Sequence, residues 1–152
     1  MKIINNNHYF TNRQINKLLN MLDNNYKPKQ IIIYDNRLDL FRNSIKLCAL
    51  NTLLFNIFPI LFGKIEGQYS RALDTVCIYI FSQNDDGENK QSKQLYSIHA
   101  LMHELRHVYQ CKCCLKISEE DADKFATYFV NSKSNEIKQI MKWKREWSVE
   151  EE

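Results

Sequence analysis

The pentapeptide His103-Glu104-Leu105-Arg106-His107 constrains this chain more than any other stretch of its sequence. It places two histidines four residues apart, with a glutamate directly after the first. In an α-helix, residues at i and i+4 lie on one face, about 6 Å apart along the axis. Two imidazoles in that arrangement can both reach a single zinc ion. The segment is therefore predicted to be helical and to bind metal.

Glu104 follows His103 by about 100° around such a helix, so its carboxylate lies beside the face that carries the histidines. From there it could take a proton from a metal-bound water. H-E-x-x-H on a helix is the arrangement of zinc peptidases, in which the histidines bind zinc and the glutamate is the general base. A five-residue match also occurs by chance, so the surrounding sequence has to support it.

The residues around the motif favour a buried amphipathic helix. Segment 95–110 has no glycine or proline, and its apolar residues recur at spacings of three and four. His99 lies one turn before His103 on the same stripe. We expect it either to lie next to the metal ligands without binding the metal, or to be a core histidine with its own hydrogen-bond partner. The apolar positions are Leu95, Ile98, Leu101, Met102, Leu105 and Val108.

No histidine follows the motif to serve as a third metal ligand, which disfavours classes of zinc protein that use a later histidine. The third ligand is therefore expected to be a carboxylate or a thiolate. Cys77 and the cluster Cys111, Cys113 and Cys114 are conceivable thiolates. The cluster has no partner C-x-x-C, so reduced cysteines in a partly buried turn are the simpler interpretation.

A carboxylate ligand is expected from the helix predicted to begin after Ser118. Ser118 and Asp121 match the spacing of a capping box, and acids in the first turn suit the positive end of a helix. Glu119 and Asp123 fall on the same side as the apolar stripe of this helix, so they are predicted to face the packed side. A buried carboxylate is costly unless it is paired or bound to metal.

The combined pattern is H-E-L-R-H at 103–107 followed by E-x-x-A-D-x-F-A at 119–126. It resembles the pattern of glutamate-zincins, in particular that of the small ImmA/IrrE-like metallopeptidases, over about residues 95–132. The resemblance implies that Glu119 is the third zinc ligand. It also implies that Asp123 orients a ligand histidine, as carboxylates behind a metal site commonly do.

The chain departs from the pattern of that family at two positions. Arg106 stands where a small residue is usual, and Asp123 stands where asparagine is commoner. Neither departure removes a ligand. The resemblance implies a cytosolic zinc metallopeptidase that hydrolyses a peptide bond in a protein substrate, for example a transcriptional regulator. Candidate donors to the oxyanion of the reaction are Tyr109, Tyr128 and His99.

Two alternatives stay open at this point. The first is a non-catalytic, zinc-stabilised protein-interaction module, whose partner would meet the apolar segment 53–62. The second is zinc-dependent hydrolysis of a non-peptide amide, because the same activated water attacks either carbonyl.

The whole chain is expected to be one domain, residues 1–152, of α+β class. The motif helix of this small zincin-like domain would pack against a short β-sheet and further helices. The hydrophobic fraction is 44%, the charged fraction 26% and the formal charge +3, too small a charge to indicate direct nucleic-acid binding. Five cysteines without an apolar leader in residues 1–10 favour reduced thiols and a cytoplasmic location.

The remaining elements follow from local patterns. Segment 38–62 is apolar but interrupted, so a buried helix and turn are favoured over a membrane span. The strand at Thr75–Phe81 is implied by the resemblance to form the edge of the cleft and to pair with an extended peptide. The other predictions are a helix at Thr11–Asp23, a strand at Gln30–Tyr34, a turn region at Gly63 and Gly67, a surface loop at Ser82–Lys93, and a last helix capped by Ser134 with Trp143 and Trp147 on its apolar side.

Overall fold

The computed structural model describes residues 1–6, 10–34, 66–79 and 90–149. Within them, helices pack against a mixed β-sheet, and the predicted α+β class is confirmed. The strands are β1 (Lys2–Asn5), β2 (Gln30–Ile33), β3 (Gly67–Ser70) and β4 (Thr75–Ile78). The helices are α1 (Asn12–Leu19), α2 (Lys90–Lys112), α3 (Glu119–Ser132) and α4 (Ser134–Met141), with a 3₁₀ turn at Asn24–Tyr26.

The sheet has the strand order β1-β2-β4-β3. The first three strands in this order are parallel, and Ile31 of β2 lies opposite Val76 of β4. β3 runs antiparallel to β4, and the two form a hairpin whose turn contains Asp74 in the left-handed conformation, with φ 45°. Among the described residues β3 pairs with no other strand, so it is an edge of the sheet.

The motif helix α2 lies on one face of this sheet, between β3, β4 and α3. Alternate strand residues point to it, because successive side chains of a strand face opposite sides. Ile31 and Val76 belong to the core on the α2 side, whereas Ile32 and Tyr34 form a separate buried cluster on the other side. The inward face of α2 consists of the apolar residues predicted from the sequence, and the fully or almost fully buried ones are Ile98, Leu101, Met102, Leu105 and Val108.

Arg106 packs between α2, α3 and the 3₁₀ turn. Its guanidinium donates to both carboxylate oxygens of Asp121, at 2.7 and 3.1 Å, and to the hydroxyl of Tyr26 at 2.7 Å. It also lies over the rings of Tyr109 and Phe125, 4.8 and 5.2 Å from their centroids. A planar cation suits such a site, because it can stack and bond bidentately at once. The arginine at this position therefore joins three elements.

The first helix is shorter than predicted. Thr11 caps it, and Gln14 completes the capping box, as expected. The helix ends at Leu19 rather than Asp23, because Asp23 accepts from the backbone N–H of Asn25 and so caps the 3₁₀ turn instead. The strand β1 was not predicted at all. Its four residues show only a weak strand pattern in the sequence. They form a strand by pairing in parallel with β2, where each residue lies opposite the one 28 positions later.

The last helix also differs from the prediction. α4 begins at Ser134 directly after α3, so the N-cap position is Lys133 rather than Ser134, and no side chain caps the helix. Lys142, in the left-handed conformation, ends it, so Trp143 and Trp147 follow the helix rather than lining it. Both indoles still pack against the core, in edge contact with one another.

The strands around the hairpin correct three further predictions. The predicted strand Thr75–Phe81 is described as β4 as far as Ile78, and β4 is paired on both sides, so its predicted role at the cleft edge is wrong. Gly67 begins a strand rather than marking a turn. Residues 90–93 belong to α2 and not to a loop.

The apolar segment 38–62 lies outside the described residues, as do Gly63 and residues 80–89. None of the helices in the described ranges combines the length and the apolar composition needed to cross a bilayer.

Replacing Leu105 with alanine tests the packing of α2. Leu105 is fully buried, so Leu105→Ala is expected to lower the free energy of unfolding by about 2–5 kcal/mol. The matched control is Leu115→Ala, because Leu115 is 49% exposed and should change stability by less than about 0.5 kcal/mol. Urea denaturation of both variants measures the difference, and equal losses would contradict the placement of α2.

Candidate metal centre

The face shared by α2 and α3 carries polar pairs at a regular spacing. The two helices are antiparallel, and every fourth residue of one lies opposite every fourth residue of the other. We call these contacts the α2–α3 polar pairs. They join His99 Nε2 to Thr127 Oγ1 at 3.0 Å, His103 Nδ1 to Asp123 Oδ1 at 2.7 Å, and His107 Nε2 to Glu119 Oε2 at 3.3 Å.

Three of these side chains converge on one point. His103 Nε2 lies 3.1 Å from Glu119 Oε2 and 3.1 Å from His107 Nε2, and the third side of this triangle is the 3.3 Å contact of His107 with Glu119. Within the described part of the chain, this trio is the one group of three or more His, Cys, Asp or Glu residues whose ligand atoms cluster closely enough for a metal ion. The predicted ligand residues are therefore brought together.

Hydrogen bonds at the far side of each imidazole decide which atoms face the centre of the triangle. His103 Nδ1 faces the Asp123 carboxylate, and His107 Nδ1 lies 2.9 Å from Oε1 of Gln110. Both partners only accept there, so a neutral imidazole that donates to them has its proton on Nδ1 and a lone pair on Nε2. Two nitrogen lone pairs and a carboxylate oxygen thus face one another at 3.1–3.3 Å. A cation between them removes that repulsion, so the trio could hold a metal ion.

The carboxylates of this centre are more exposed than predicted. The side chains of Glu119 and Asp123 are 75% and 61% exposed, whereas those of His103 and His107 are 17% and 10% exposed. The two acids face α2, as expected, but they lie at the exposed edge of the interface rather than within its buried part. The buried stripe of α3 runs through Ala122 and its neighbours, and the acids lie at its rim. The centre consequently opens to solvent on the α3 side.

Glu104 lies about 100° around α2 from His103, between that helix and β3. It is 7% exposed, and its carboxylate accepts a hydrogen bond from the backbone N–H of Tyr69. Burial is the main cause that raises the pKa of Glu104 to about 8, and the nearby charge of Glu119 adds to it. The hydrogen bond from Tyr69 acts in the opposite direction. A cation at the adjacent triangle would also favour the ionised carboxylate.

Gly67 allows β3 to lie this close to Glu104. A Cβ at position 67 would stand 2.7 Å from Cγ and 2.9 Å from Oε1 of Glu104, closer than real Cβ contacts. Sequence reasoning did not assign Gly67 to the site. The sequence offered only a glycine in a predicted turn region, and its contact with Glu104 depends on the placement of β3 over α2.

The other residues named from the sequence lie around the centre. His99 is bonded to Thr127 and is not one of the clustered ligands, and burial lowers its pKa. The ring of Tyr109 stacks on Tyr26, and its hydroxyl bonds to Cys113. Tyr128 is 68% exposed.

The described cysteines do not join the metal-binding trio. Cys77, Cys111, Cys113 and Cys114 are free thiols, and among the described residues no close group of possible ligands includes them. Burial raises the pKa of Cys77 to about 11, which disfavours the thiolate that a metal would need.

Comparison with known proteins identifies no relative of the chain. No protein-family model matches it, and no curated protein or solved structure matches it either. The likeness to small zinc peptidases therefore depends on the residues at 103–107 and 119–126 and on their placement.

Gly67→Ala tests the contact between β3 and Glu104. The added methyl group overlaps Glu104, so the free energy of unfolding is expected to fall by about 1–3 kcal/mol. Ser70→Ala is the control on the same strand, because residues 67 and 70 of a strand face opposite sides. Thermal and urea unfolding compare the two, and a Gly67→Ala chain as stable as the wild type would contradict this geometry.

Glu119→Ala tests the assignment of the third ligand. Removing a residue that supports a ligand from outside the site typically weakens metal binding by roughly 10–100-fold. Removing Glu119 itself should weaken it by more than that. Glu120→Ala is the matched control. Glu120 lies in the same helical turn, and its carboxylate bonds to Lys124 at 2.6 Å. Elemental mass spectrometry of chelator-free protein gives the metal content, and metal retained in Glu119→Ala but lost in Glu120→Ala would reverse the assignment.

Proposed function

We propose that this chain is a zinc-dependent metallopeptidase. The single observation that carries the proposal is the triangle formed by His103, His107 and Glu119, with the buried carboxylate of Glu104 on the same helix. Metal ligands alone are compatible with a structural site. A buried carboxylate next to three ligands, on a side of the helix that faces an edge strand, is what hydrolysis of a peptide requires in addition.

The donor set favours zinc over harder cations. Two imidazole nitrogens and one carboxylate oxygen are zinc ligands, and catalytic zinc sites commonly have three protein ligands and an open fourth position. With bonds of about 2.0–2.2 Å, tetrahedral ligands lie about 3.3–3.6 Å apart. The observed separations of 3.1–3.3 Å are close to that range. Magnesium and calcium prefer all-oxygen sites.

Zinc in such a site supplies an activated water and a polarised substrate carbonyl. Glu104 would accept the proton of the attacking water on its carboxylate and donate it to the departing amine. Burial favours the protonated form of Glu104 and a bound cation would favour the ionised form, so the carboxylate could take a proton and release it again. Asp123 would hold the ring of His103 in position through the 2.7 Å hydrogen bond.

The edge of β3 that is free within the described residues supports an extended peptide as the substrate. At the start of the β3–β4 pairing, the carbonyl of Glu66 accepts from the N–H of Tyr79. Hydrogen-bonded and non-hydrogen-bonded pairs alternate along an antiparallel ladder, so the backbone groups of Gly67 and Tyr69 point away from β4, to the free edge of the sheet. The N–H of Tyr69 is bonded to Glu104. An extended peptide could pair with the rest of this outer edge and so lie beside the general base. A protein substrate, for example a transcriptional regulator, is implied by the resemblance to ImmA/IrrE-like proteins.

A non-catalytic zinc-stabilised module is the second candidate, and one observation favours it. Glu104 already accepts from Tyr69 and fills the space above Gly67, so its carboxylate could act only as a clamp between α2 and β3. That role does not need proton transfer.

Glu104→Gln separates the two candidates. Glutamine has the same shape and can still accept from Tyr69, but it cannot take a proton. For the peptidase we expect zinc content and folding to persist, while turnover falls by about 10²–10⁴-fold or more. The assay first screens a fluorogenic peptide library with zinc-loaded wild-type protein. Intact samples of the peptides that the wild type cleaves are then tested with the variant.

The control for this experiment is Glu120→Gln, which should leave turnover unchanged. Undiminished turnover in Glu104→Gln would refute the proposed mechanism. A wild-type chain that binds zinc at His103, His107 and Glu119 but cleaves no peptide would favour the non-catalytic module.

A further inference from the structure

Gln110 is a buried amide whose every hydrogen-bonding atom is used. It is 1% exposed and lies one turn after His107 on α2. Its Nε2 donates to the carbonyl of Ser118 at 3.1 Å and to Oδ2 of Asp121 at 2.7 Å. Its Oε1 faces His107 Nδ1 at 2.9 Å and, more distantly, the N–H of Ser118 at 3.4 Å.

These partners allow one orientation of the amide. Reversing it would turn Oε1 towards the Asp121 carboxylate and the Ser118 carbonyl, which are both acceptors. It would also turn the Nε2 hydrogens towards the N–H of Ser118. Asp121 is itself bound by both guanidinium contacts of Arg106, so the acceptor that orients Gln110 is held from behind. The orientation of the amide therefore follows from its neighbours rather than from His107.

Three acceptors compete for the single ring proton of a neutral His107. Gln110 Oε1 lies 2.9 Å from Nδ1, whereas Glu119 Oε2 and His103 Nε2 lie 3.3 and 3.1 Å from Nε2. Without metal, the carboxylate is the stronger acceptor in principle. Glu119 is 75% exposed, however, and water can replace its hydrogen bond. Gln110 Oε1 is buried. If the proton left His107 Nδ1, the lone pairs of Nδ1 and Oε1 would face each other away from water, which is the more costly outcome.

We infer that Gln110 is a positioning residue, which keeps the proton of His107 on Nδ1 and so presents the lone pair of Nε2 to the metal. This inference rests on the metal site of the proposed function and names the residue that prepares its second histidine. Asp121 and Arg106 act through Gln110. Arg106 thereby has a role at the position where the resembled family has a small residue.

The test begins with the tautomer of His107 in the metal-free full-length chain. Long-range ¹H–¹⁵N NMR on protein labelled at histidine shows which ring nitrogen carries the proton. We expect Nδ1 in the wild type and Nε2 in Gln110→Met, a variant of similar length without an acceptor. A wild-type His107 with its proton on Nε2 overturns the inference, and this outcome needs no variant that might fold poorly.

Zinc affinity, measured by competition with a chromogenic chelator, is the second readout. Gln110→Met is expected to bind zinc about 10–100-fold more weakly than the wild type. The matched control is Gln94→Met. Gln94 is a buried glutamine of the same helix, and it accepts from Trp143 Nε1 at 2.7 Å. This control should keep both the wild-type affinity and the Nδ1 tautomer.

Equal affinities in Gln110→Met and the wild type, or an equal loss in Gln94→Met, would overturn the inference. If Gln110→Met does not fold, Asp121→Ala replaces it, and a smaller loss of zinc affinity is expected because Ser118 still holds the amide. Neither readout uses a substrate. A chain that binds zinc as described but cleaves nothing would refute the peptidase and leave the role of Gln110 intact.

Discussion

Close packing of α3 against α2 is the contact on which the candidate metal centre depends. Ala122 and Ala126 are both fully buried in this interface. Their small side chains let the two helices approach until a carboxylate at the rim of α3 lies 3.1 Å from an imidazole of α2. Larger residues at these positions would move α3 outwards, and every ligand distance would increase together. The interface thus determines the size of the site as well as its composition.

The two sides of α2 have different electrostatic environments, and this difference separates the roles of its polar residues. On the α3 side, the imidazoles are shielded while their acidic partners remain in contact with solvent. On the β3 side, Glu104 is enclosed by β3, which can lie this close only because position 67 is a glycine. Burial there raises the pKa of the carboxylate. One helix therefore presents candidate metal ligands and a candidate base in distinct surroundings, one residue apart.

Arg106 and Asp123 both have polar partners beside the centre, and this explains how the chain accommodates its departures from the pattern that it resembles. Arg106 would be costly in a core without partners, but here it bonds to Asp121 and Tyr26 and stacks on two rings. Asp123 in place of an amide gives His103 an acceptor that is charged and cannot donate. Both residues make the orientation of the centre more definite, because each leaves its neighbours a single pattern of donors and acceptors.

The sequence by itself determined the motif helix and its buried face, because helical periodicity is local, and the spacing of His103 and His107 marked them as candidate metal ligands. It pointed to Glu119 as the third candidate only through the resemblance to glutamate-zincins. It also identified Asp123 and the capping of α1 at Thr11. The tertiary structure alone decided that β1 pairs with β2, that β3 rather than β4 is the edge of the sheet, and that Gly67 lies over Glu104. It likewise revealed Gln110 as the partner of His107. Each of these features depends on contacts between segments that are distant in the chain. Composition and local spacing do not predict which distant segment will pack against a given side chain.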